Sequence, residues 1–253
     1  MPPNKTIAIS TRQQRLIDFS QLTKFRLSVS VVVSSLAGYF LAVNEVNYFT
    51  LLLLTVGGYA MVGASNAFNQ VFEKDLDSLM IRTQNRPLPA GRMHSKSALF
   101  IGVILTLVGV TSLYIINLKT AFFASISIFL YACVYTPLKQ KTPLSVFIGA
   151  FPGAIPFMLG WVAATNEFGV EPGLLFMLQF FWQFPHFWAI GWLQDEEYKK
   201  AGFNMLPMGK IDNGAVRQII LYTILMILVS IAPVLKQTGS FYIFPATAVL
   251  IFL

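Results

Sequence analysis

The stretch Asn69-Gln-Val-Phe-Glu73-Lys-Asp75-Leu-Asp77 places an asparagine and three carboxylates at the end of an apolar run, 48–72. A charge near a bilayer core costs at least about 2.5–3.5 kcal/mol on insertion scales, so such residues usually lie in a wet cavity with partners. In a helix, a step of four residues turns about 40° past a full circle. Asn69, Glu73 and Asp77 would therefore share one face, and Asp75 would point away. The stretch predicts a functional site at the mouth of a membrane-spanning helix.

The composition is that of a membrane protein. Hydrophobic residues make up 55% of the chain and charged residues 11%, and the mean hydropathy is +0.64, values that place it among membrane proteins rather than soluble globular ones. Cys133 is the one cysteine, so it has no partner for an intrachain disulfide, and we interpret it as a buried apolar residue. The net charge of +7 does not indicate nucleic-acid binding, because the basic residues sort by loop.

Seven apolar runs are long enough to cross, or nearly cross, a hydrocarbon core of roughly 30 Å. They cover 26–43, 48–72, 97–116, 120–136, 143–165, 174–193 and 215–235. An eighth begins near Ser240 and stops at Leu253, short of the roughly 20 residues that a span needs, so we expect this last span to be incomplete. The pattern predicts an all-α, polytopic transmembrane bundle, with an N-terminal arm, 1–25, and a single membrane domain, 26–253.

The loop charges predict the orientation, because positively charged loops stay in the cytoplasm. Of the 18 basic residues, only Lys119 and Lys236 fall on the opposite side of the predicted spans. We therefore expect a cytoplasmic N-terminus and cytoplasmic acidic loops. The arm is too polar for a signal peptide. A bacterial inner membrane is favoured, and the mitochondrial inner membrane is the alternative, since Arg12 and Arg15 occur among few acids.

A second acidic cluster, Asp195-Glu196-Glu197-Tyr198, follows the sixth run as the first cluster follows the second run. Each is followed about ten residues later by a similar ending, Pro-Leu-Pro-Ala-Gly91 in one case and Leu-Pro-Met-Gly209 in the other. This layout predicts two related halves of four helices each. Their carboxylates would converge over one cavity.

Two facing acidic clusters suit Mg²⁺, which is usually held by one or two carboxylates together with substrate phosphate oxygens. Arg82 and Arg86, and Lys139 and Lys141 on the next cytoplasmic loop, are expected to clamp the same anion. A diphosphate at the mouth of a lipid-facing cavity implies an isoprenoid diphosphate, with its tail among the many phenylalanines. Taken singly, each of these charges also has a simpler interpretation, as an interface anchor or a determinant of topology.

The sixth apolar run carries a polar stripe. Gln179, Gln183 and His186 follow one another at helical spacings of four and three. Lipid would not tolerate this stripe, so we expect it to face the interior of the bundle. There His186 would bind or orient a substrate, ligate a metal centre, or form a hydrogen bond between helices. Pro185 is tolerable in a transmembrane helix and is expected to kink it.

These residues resemble the UbiA superfamily of intramembrane prenyltransferases, in the form of its branch that farnesylates heme. The resemblance runs from about Leu22 to the end of the chain. Four separated motifs in order carry it: Asn69-Gln-Val-Phe-Glu-Lys-Asp-Leu-Asp-Ser-Leu-Met-Ile-Arg-Thr-Gln-Asn-Arg-Pro-Leu-Pro-Ala-Gly-Arg92, Tyr135-Thr-Pro-Leu-Lys-Gln-Lys-Thr-Pro143, Trp182-Gln-Phe-Pro-His-Phe-Trp188 and Glu196-Glu-Tyr-Lys-Lys-Ala-Gly-Phe-Asn-Met-Leu-Pro207.

The resemblance implies a horseshoe of about nine helices with a cytoplasmic cap over the active site. It also implies Mg²⁺-dependent transfer of a farnesyl group from farnesyl diphosphate to a vinyl group of heme b, which gives heme O for heme-copper oxidases. Other membrane proteins of heme synthesis or oxidase assembly are further candidate partners, beside the lipid bilayer itself.

The resemblance assigns roles residue by residue. Asn69, Glu73 and Asp77 form the first metal-diphosphate motif, with Glu73 standing where the superfamily has Asp. The second superfamily motif has two Asp four residues apart, but Gln194 and Tyr198 occupy those positions here. The remaining roles follow the same pattern: Glu196 and Glu197 for the second metal group; Arg82, Arg86, Lys139, Lys141 and Tyr198 for the diphosphate; Gln183 and His186 for heme.

Two alternatives remain open from the residues. A secondary transporter also uses repeated halves and intramembrane carboxylates, although it places them near the midplane rather than at one face. A prenyltransferase acting on a quinone precursor or another ring would share the acidic motifs. Magnesium-dependent product formation excludes the transporter, and the mass of the product identifies the acceptor.

Overall fold

The structure is a computed structural model that describes residues 11–235. All regular elements in this part of the chain are helical. The α-helices are α1 (Thr11–Leu22), α2 (Phe25–Ala42), α3 (Tyr48–Phe72), α4 (Lys74–Asp77), α5 (Ser95–Ile116), α6 (Leu118–Phe129), α7 (Thr136–Leu138), α8 (Ser145–Thr165), α9 (Val170–Leu193), α10 (Asp195–Lys200) and α11 (Asn213–Leu235). A π-helix, Leu130–Tyr135, joins α6 to α7, and a 3₁₀ turn, Pro207–Gly209, precedes α11.

The helices confirm the predicted all-α bundle. Each of the seven apolar runs up to 215–235 coincides with a long helix, and the eighth run lies outside the described residues. Within the described part, six helical stretches are long and apolar enough to cross a membrane: α2, α3, α5, Leu118–Leu138, α8 and Asn213–Ile231. Helix α9 has the length of a span, but its polar stripe keeps it out of this group.

Local signals explain where the spans begin and end. The side chain of Asn47 accepts hydrogen bonds from the backbone of Phe49 and Thr50 and so caps the start of α3. Asn117 caps α6 in the same way through the backbone of Thr120. Asn166 ends α8 in a left-handed conformation, a common helix terminator. These asparagines lie at one membrane end of the bundle, opposite the acidic motifs.

The spans pack as a connected series in which α3 lies on α5, α2 on α8, α8 on α9, and α9 on α11. The α2–α8 contact is especially close. A side-chain carbon at Gly38 would overlap the carbonyl oxygen of Phe157, and one at Gly160 would overlap that of Ser35. Small residues allow this approach, as in other membrane helix pairs. The contact ties the first span to the fifth.

The outer surface of the bundle is apolar, as lipid requires. Large side chains such as Leu107, Phe122 and Leu228 are exposed on the spans. Cys133 is exposed as well, so the prediction that it is buried was wrong. Its neighbours Ala132 and Tyr135 take the interior positions of the π-helix instead.

Short elements outside the spans gather at one end of the bundle. They are the α1–α2 turn, the segment that follows α3, the loop after α7, and α10. The backbone N–H of Asn204 donates to the carbonyl of Lys139 at 2.8 Å. The N–H of Ile81 donates to the Glu197 carboxylate at 2.6 Å. These contacts join the loops into a cap.

Candidate active site

The first acidic motif lies where α3 gives way to α4. Helix α3 ends at Phe72, and Glu73 has a backbone conformation outside the helical region (φ −101°, ψ 11°). The hydrogen bonds of Glu73 N–H to Asn69 and of Asp77 N–H to Glu73 nevertheless continue across the break. The motif is therefore kinked rather than one unbroken helix. Asn69, Glu73 and Asp77 are buried together, and Asp75 is exposed, which agrees with the spacing.

Each buried carboxylate of the motif is paired with a cation. Lys139 Nζ lies 2.5 Å from Glu73 Oε1, and Arg86 Nη1 lies 2.7 Å from Asp77 Oδ2. Lys139 itself is only 8% exposed. Burial raises the pKa of Asp77, and the Arg86 guanidinium opposes that rise. Two of the four predicted anion-binding cations thus lie in the acidic cluster.

Asn69 is held by Thr136, a residue of the second motif to which the sequence assigned no role. Its Nδ2 donates to the Thr136 hydroxyl at 3.2 Å, and both groups are buried. The Thr136 hydroxyl in turn donates to the Tyr131 carbonyl at 2.8 Å. The backbone N–H of Thr136 donates to the same carbonyl, which is the π-helical pattern. Pro137 follows this turn and has no backbone N–H of its own to donate.

Lys24 is the second residue that the sequence did not assign to the site. It connects α1 to α2 in a left-handed conformation (φ 48°), which a residue with a side chain adopts only at a cost. Amides of α3 fix this turn: Gln70 Nε2 donates to the carbonyls of Gln21 and Leu22 at 2.9 Å each, and Asn66 Nδ2 donates to that of Thr23 at 3.3 Å. The turn therefore lies against the face of α3 that leads to Glu73.

The electrostatics place Lys24 beside the charge pairs. Burial and repulsion from Arg86 and Lys139 lower the pKa of Lys24 to about 7, while Glu73 and Asp77 oppose the shift. The sequence offered one signal for this role. Lys24 lies two residues before the first apolar run, at the same membrane end as the acidic motifs, but the loop charges by themselves indicate only the orientation.

The second acidic cluster meets the first through Glu197. Its carboxylate accepts hydrogen bonds from Lys200 Nζ at 2.7 Å and from the Ile81 N–H at 2.6 Å, and both bonds lower the pKa of Glu197. The Arg82 guanidinium lies 6.0 Å from the centre of the Tyr198 ring. Burial raises the pKa of Tyr198, and Arg82 opposes that shift. This second group forms the rim of the site.

Two of the residues predicted to bind the metal or the diphosphate lie in neither the buried cluster nor the rim. The Glu196 carboxylate is exposed and makes no ion pair or hydrogen bond with another described residue. Lys141 is also exposed, and its backbone N–H donates to the Leu138 carbonyl. The choice between Glu196 and Glu197 depends on the direction of the short helix α10, which residue spacing alone does not determine.

The polar side chains of α9 do not all face the interior of the bundle in the structure. Gln183 is buried against Gly153 of α8, as expected for a side chain facing the bundle. His186 is exposed, with its ring stacked on Trp182 at 4.3 Å between centroids. Its nitrogens make no hydrogen bond to another described residue. An interhelical hydrogen bond is therefore not what His186 provides in this conformation.

The donor set suits a hard cation such as Mg²⁺. Oxygen ligands are available from the Asn69 amide and from the carboxylates of Glu73 and Asp77, and Mg²⁺ prefers such oxygens. Among the described residues, no three acidic, histidine or cysteine side chains lie close enough to hold a metal by themselves. Substrate oxygens would have to complete the coordination, which is the usual arrangement for Mg²⁺ with phosphates.

A mostly apolar cavity lies beneath the charged cluster and is partly open to the surroundings. Its wall comes from α2, α3, α5, α6 and α8. On α3 it begins at Ser65, one turn or about 6 Å before Asn69. On α6 it reaches Ile128, three residues before Tyr131. The lining is aliphatic and small rather than aromatic, while the phenylalanines of α8 and α9 pack on one another.

A helical membrane bundle with a buried acidic and basic cluster at one end is the architecture of an intramembrane transferase that handles a charged head and an apolar tail. Residues 31–253 match the UbiA prenyltransferase family. The chain belongs to this family, and it is accordingly a prenyltransferase and a multi-pass membrane protein.

Within the family, the chain is similar to curated relatives that share one name. The chain is 59% identical over its whole length to the protoheme IX farnesyltransferase of Flavobacterium psychrophilum and covers 83% of that protein. It is 61% identical over 94% of its length to the protein of the same name from Christiangramia forsetii and covers 79% of it. The region aligned with the first of these relatives includes all four motifs.

Solved structures share the fold at low sequence identity. A digeranylgeranylglyceryl phosphate synthase aligns with a TM-score of 0.77 at 20% identity, over 94% of this chain and 85% of its own. A UbiA homolog from Archaeoglobus fulgidus, bound to GPP and Mg²⁺, aligns with a TM-score of 0.77 at 16% identity, over 92% and 83% of the two chains.

Proposed function

We propose that this prenyltransferase transfers the farnesyl group of farnesyl diphosphate to a vinyl group of heme b and so forms heme O. The proposal rests on two buried ion pairs, Glu73–Lys139 and Asp77–Arg86, which lie above an apolar cavity. The names of the curated relatives support the choice of farnesyl donor and heme acceptor.

The diphosphate exchanges partners with the carboxylates. Arg86 and Lys139 neutralise Asp77 and Glu73 in the free enzyme, and they turn to diphosphate oxygens when the substrate enters. Arginine suits this role through bidentate contacts. Lys24, Arg82 and Tyr198 line the approach, and Lys141 attracts the anion from further away.

Asn69, Glu73 and Asp77 hold Mg²⁺ in this proposal, and Glu197 with Glu196 supplies a second group from the rim. The bound cation would draw negative charge from the diphosphate as its carbon–oxygen bond breaks. The Archaeoglobus fulgidus homolog, which has the same fold and is bound to GPP and Mg²⁺, supports the binding of a prenyl diphosphate together with Mg²⁺.

The transfer forms one carbon–carbon bond and releases diphosphate. As the bond from C1 of the farnesyl chain to oxygen breaks, positive charge develops on C1, and the electron pair of the heme vinyl group attacks it. Water then adds to the remaining vinyl carbon and loses a proton, which gives the hydroxyethyl group of heme O. The cations Arg86 and Lys139 stabilise the leaving diphosphate throughout.

The two apolar groups occupy separate regions. The farnesyl tail extends from the charged cluster into the cavity that starts at Ser65. Heme b lies against α9, where the exposed ring of His186 faces it, whereas Gln183 is buried against α8 and supports the helix from the inner side. The loop charges favour a cytoplasmic N-terminus and cap, in a bacterial inner membrane, so both charged substrate ends enter from the cytoplasm.

Purified protein with farnesyl diphosphate, heme b and MgCl₂ tests the proposal when the product is analysed by mass. The expected product has the mass of heme O and depends on both Mg²⁺ and farnesyl diphosphate. Omission of Mg²⁺ is the control. If heme b gives no product while another ring compound, offered in parallel, is farnesylated, then that compound is the acceptor instead. No product from any acceptor would contradict the proposed reaction.

A further inference from the structure

Thr136 lies at a junction of two hydrogen bonds. It follows the π-helix Leu130–Tyr135 and is 4% exposed. Its hydroxyl contacts the Tyr131 carbonyl at 2.8 Å on one side and the Asn69 amide at 3.2 Å on the other. A hydroxyl has one hydrogen to donate and two lone pairs to accept with. The two contacts therefore cannot both be donated by Thr136.

The Tyr131 contact decides the direction of both bonds. A carbonyl oxygen can only accept, so the single hydroxyl hydrogen of Thr136 must point to Tyr131. Thr136 can then only accept from Asn69, and the atom of Asn69 that faces it must be the NH₂ group. This fixes an orientation that the shape of an amide leaves ambiguous. Asn69 Oδ1 is left without a hydrogen bond to another described residue.

We propose that Thr136 is a positioning residue, which holds the Asn69 amide so that its oxygen and not its nitrogen is available to a cation at the acidic motif. The inference rests on the proposed function, since it assigns a use to the Asn69 oxygen. An amide oxygen is a ligand for Mg²⁺, whereas an amide NH₂ repels a cation. Without Thr136, the Asn69 side chain is free to present either edge.

The π-helix helps Thr136 to hold the Asn69 amide. Its wide turn brings the Tyr131 carbonyl within reach of both the N–H and the hydroxyl of Thr136, five residues later. In a regular α-helix, a threonine hydroxyl reaches the carbonyls three or four residues earlier. π-helical turns often occur at functional sites. Here the turn aims one hydroxyl at Asn69 on a different helix.

Thr136→Val tests the inference, because valine keeps the branched shape and removes the hydroxyl. The readout is the Mg²⁺ concentration that gives half-maximal binding of an unreactive thio analogue of farnesyl diphosphate, measured in detergent without heme. We expect that concentration to rise about tenfold, as for other supporting residues of metal ligands. Thr136→Ser should restore it to within about twofold, since serine keeps the hydroxyl. Thr142→Val, in the following loop, is the matched control and should not change it.

A double variant shows whether Thr136 acts through Asn69. Asn69→Ala alone should raise the half-maximal Mg²⁺ concentration, and adding Thr136→Val should raise it no further. Additive effects, or a Thr136→Val protein with wild-type Mg²⁺ dependence, would overturn the inference. If valine prevents folding, Thr136→Ala and Thr136→Ser make the same comparison. Wild-type protein that binds the analogue without any Mg²⁺ dependence would instead contradict the proposed function.

Discussion

Lys139 Nζ contacts Glu73 Oε1 at 2.5 Å, so a cation that follows the fourth span neutralises a carboxylate that ends the second. Both groups are buried, and a buried charge without a partner is strongly destabilising. The ion pair therefore has a structural function in the free enzyme. In our proposal both residues also bind the substrate complex. Glu73 binds Mg²⁺, and Lys139 binds the negatively charged diphosphate.

The first prediction separates these two functions of the Glu73–Lys139 pair. Glu73→Gln should lower heme O formation by at least about tenfold and destabilise the protein by about 3–5 kcal/mol, because Lys139 remains buried without a partner. Adding Lys139→Met should recover much of the stability but none of the activity. Thermal unfolding in detergent and product yield per folded molecule measure the two effects.

Asp75→Asn is the control for this loss, because Asp75 belongs to the same motif but is exposed. It should leave both stability and yield nearly unchanged, whereas Asp77→Asn should behave like Glu73→Gln. Equal losses at Asp75 and Asp77 would contradict the assignment of the motif by its buried face.

The second prediction concerns the cations that bind the diphosphate. Arg86→Ala should raise the KM for farnesyl diphosphate more than Arg82→Ala does, because Arg86 lies in the buried cluster and Arg82 lies on the rim over Tyr198. Lys141→Ala is the matched control and should have the smallest effect, since Lys141 is exposed. Initial rates at saturating heme b measure the KM. A change in heme affinity alone would move these residues to the heme carboxylates.

The sequence predicted the parts of the site that depend on local periodicity. Asn69, Glu73 and Asp77 share a buried face because steps of four residues keep to one side of a helix, even across the kink at Glu73. The apolar runs gave the spans for the same reason, since a hydrocarbon core fixes their length. The Glu73–Lys139 pair joins two different loops, which the charge pattern had placed at the same end of the bundle, and the Asp77–Arg86 pair lies within one loop.

Contacts set by the tertiary structure were not predictable in this way. Lys24 reaches the cluster because two amides of α3 bind the carbonyls before it, and no pattern in the α1–α2 segment encodes that docking. Thr136 depends on a π-helix, which periodicity does not reveal. Glu196 and Glu197 are neighbours in sequence, and only the direction of α10 shows which of them contacts Ile81 in the segment that follows α3.

The third prediction distinguishes these two glutamates. Glu197→Gln removes a charged acceptor from the Ile81 N–H and from Lys200, which loosens the contact between the two halves of the cap. We expect kcat to fall several-fold or more, since charge-assisted hydrogen bonds are roughly twice as strong as neutral ones. Glu196→Gln makes the same change at an exposed carboxylate and should alter kcat much less. The reverse order would assign the second metal group to Glu196.

The fourth prediction is a pH dependence from Lys24. Because its pKa is about 7 in the free enzyme, its ammonium is largely present below pH 7 and is lost as the pH rises above that value. Binding of farnesyl diphosphate should therefore weaken from pH 7 to pH 9. Lys24→Arg keeps a positive charge over this range and should flatten the profile. Since both proteins bind the same diphosphate, its own ionisation cancels in the comparison, and parallel profiles would contradict a role for Lys24.

The fifth prediction concerns His186, whose exposed ring stacks on Trp182 and makes no hydrogen bond to another described residue. His186→Phe keeps an aromatic ring beside Trp182 and removes both nitrogens. If His186 faces heme b, the variant should unfold at the wild-type temperature, bind farnesyl diphosphate normally and lose heme binding or heme O formation. If His186 instead formed a purely structural hydrogen bond, its loss would cost about 0.6 kcal/mol of stability and leave activity per folded molecule unchanged.

His94→Phe, at the other histidine of the chain, is the matched control, because His94 is an exposed loop residue. Thermal unfolding, heme titration and product yield on one preparation give the answer, and wild-type heme binding and yield in His186→Phe would remove His186 from the acceptor site.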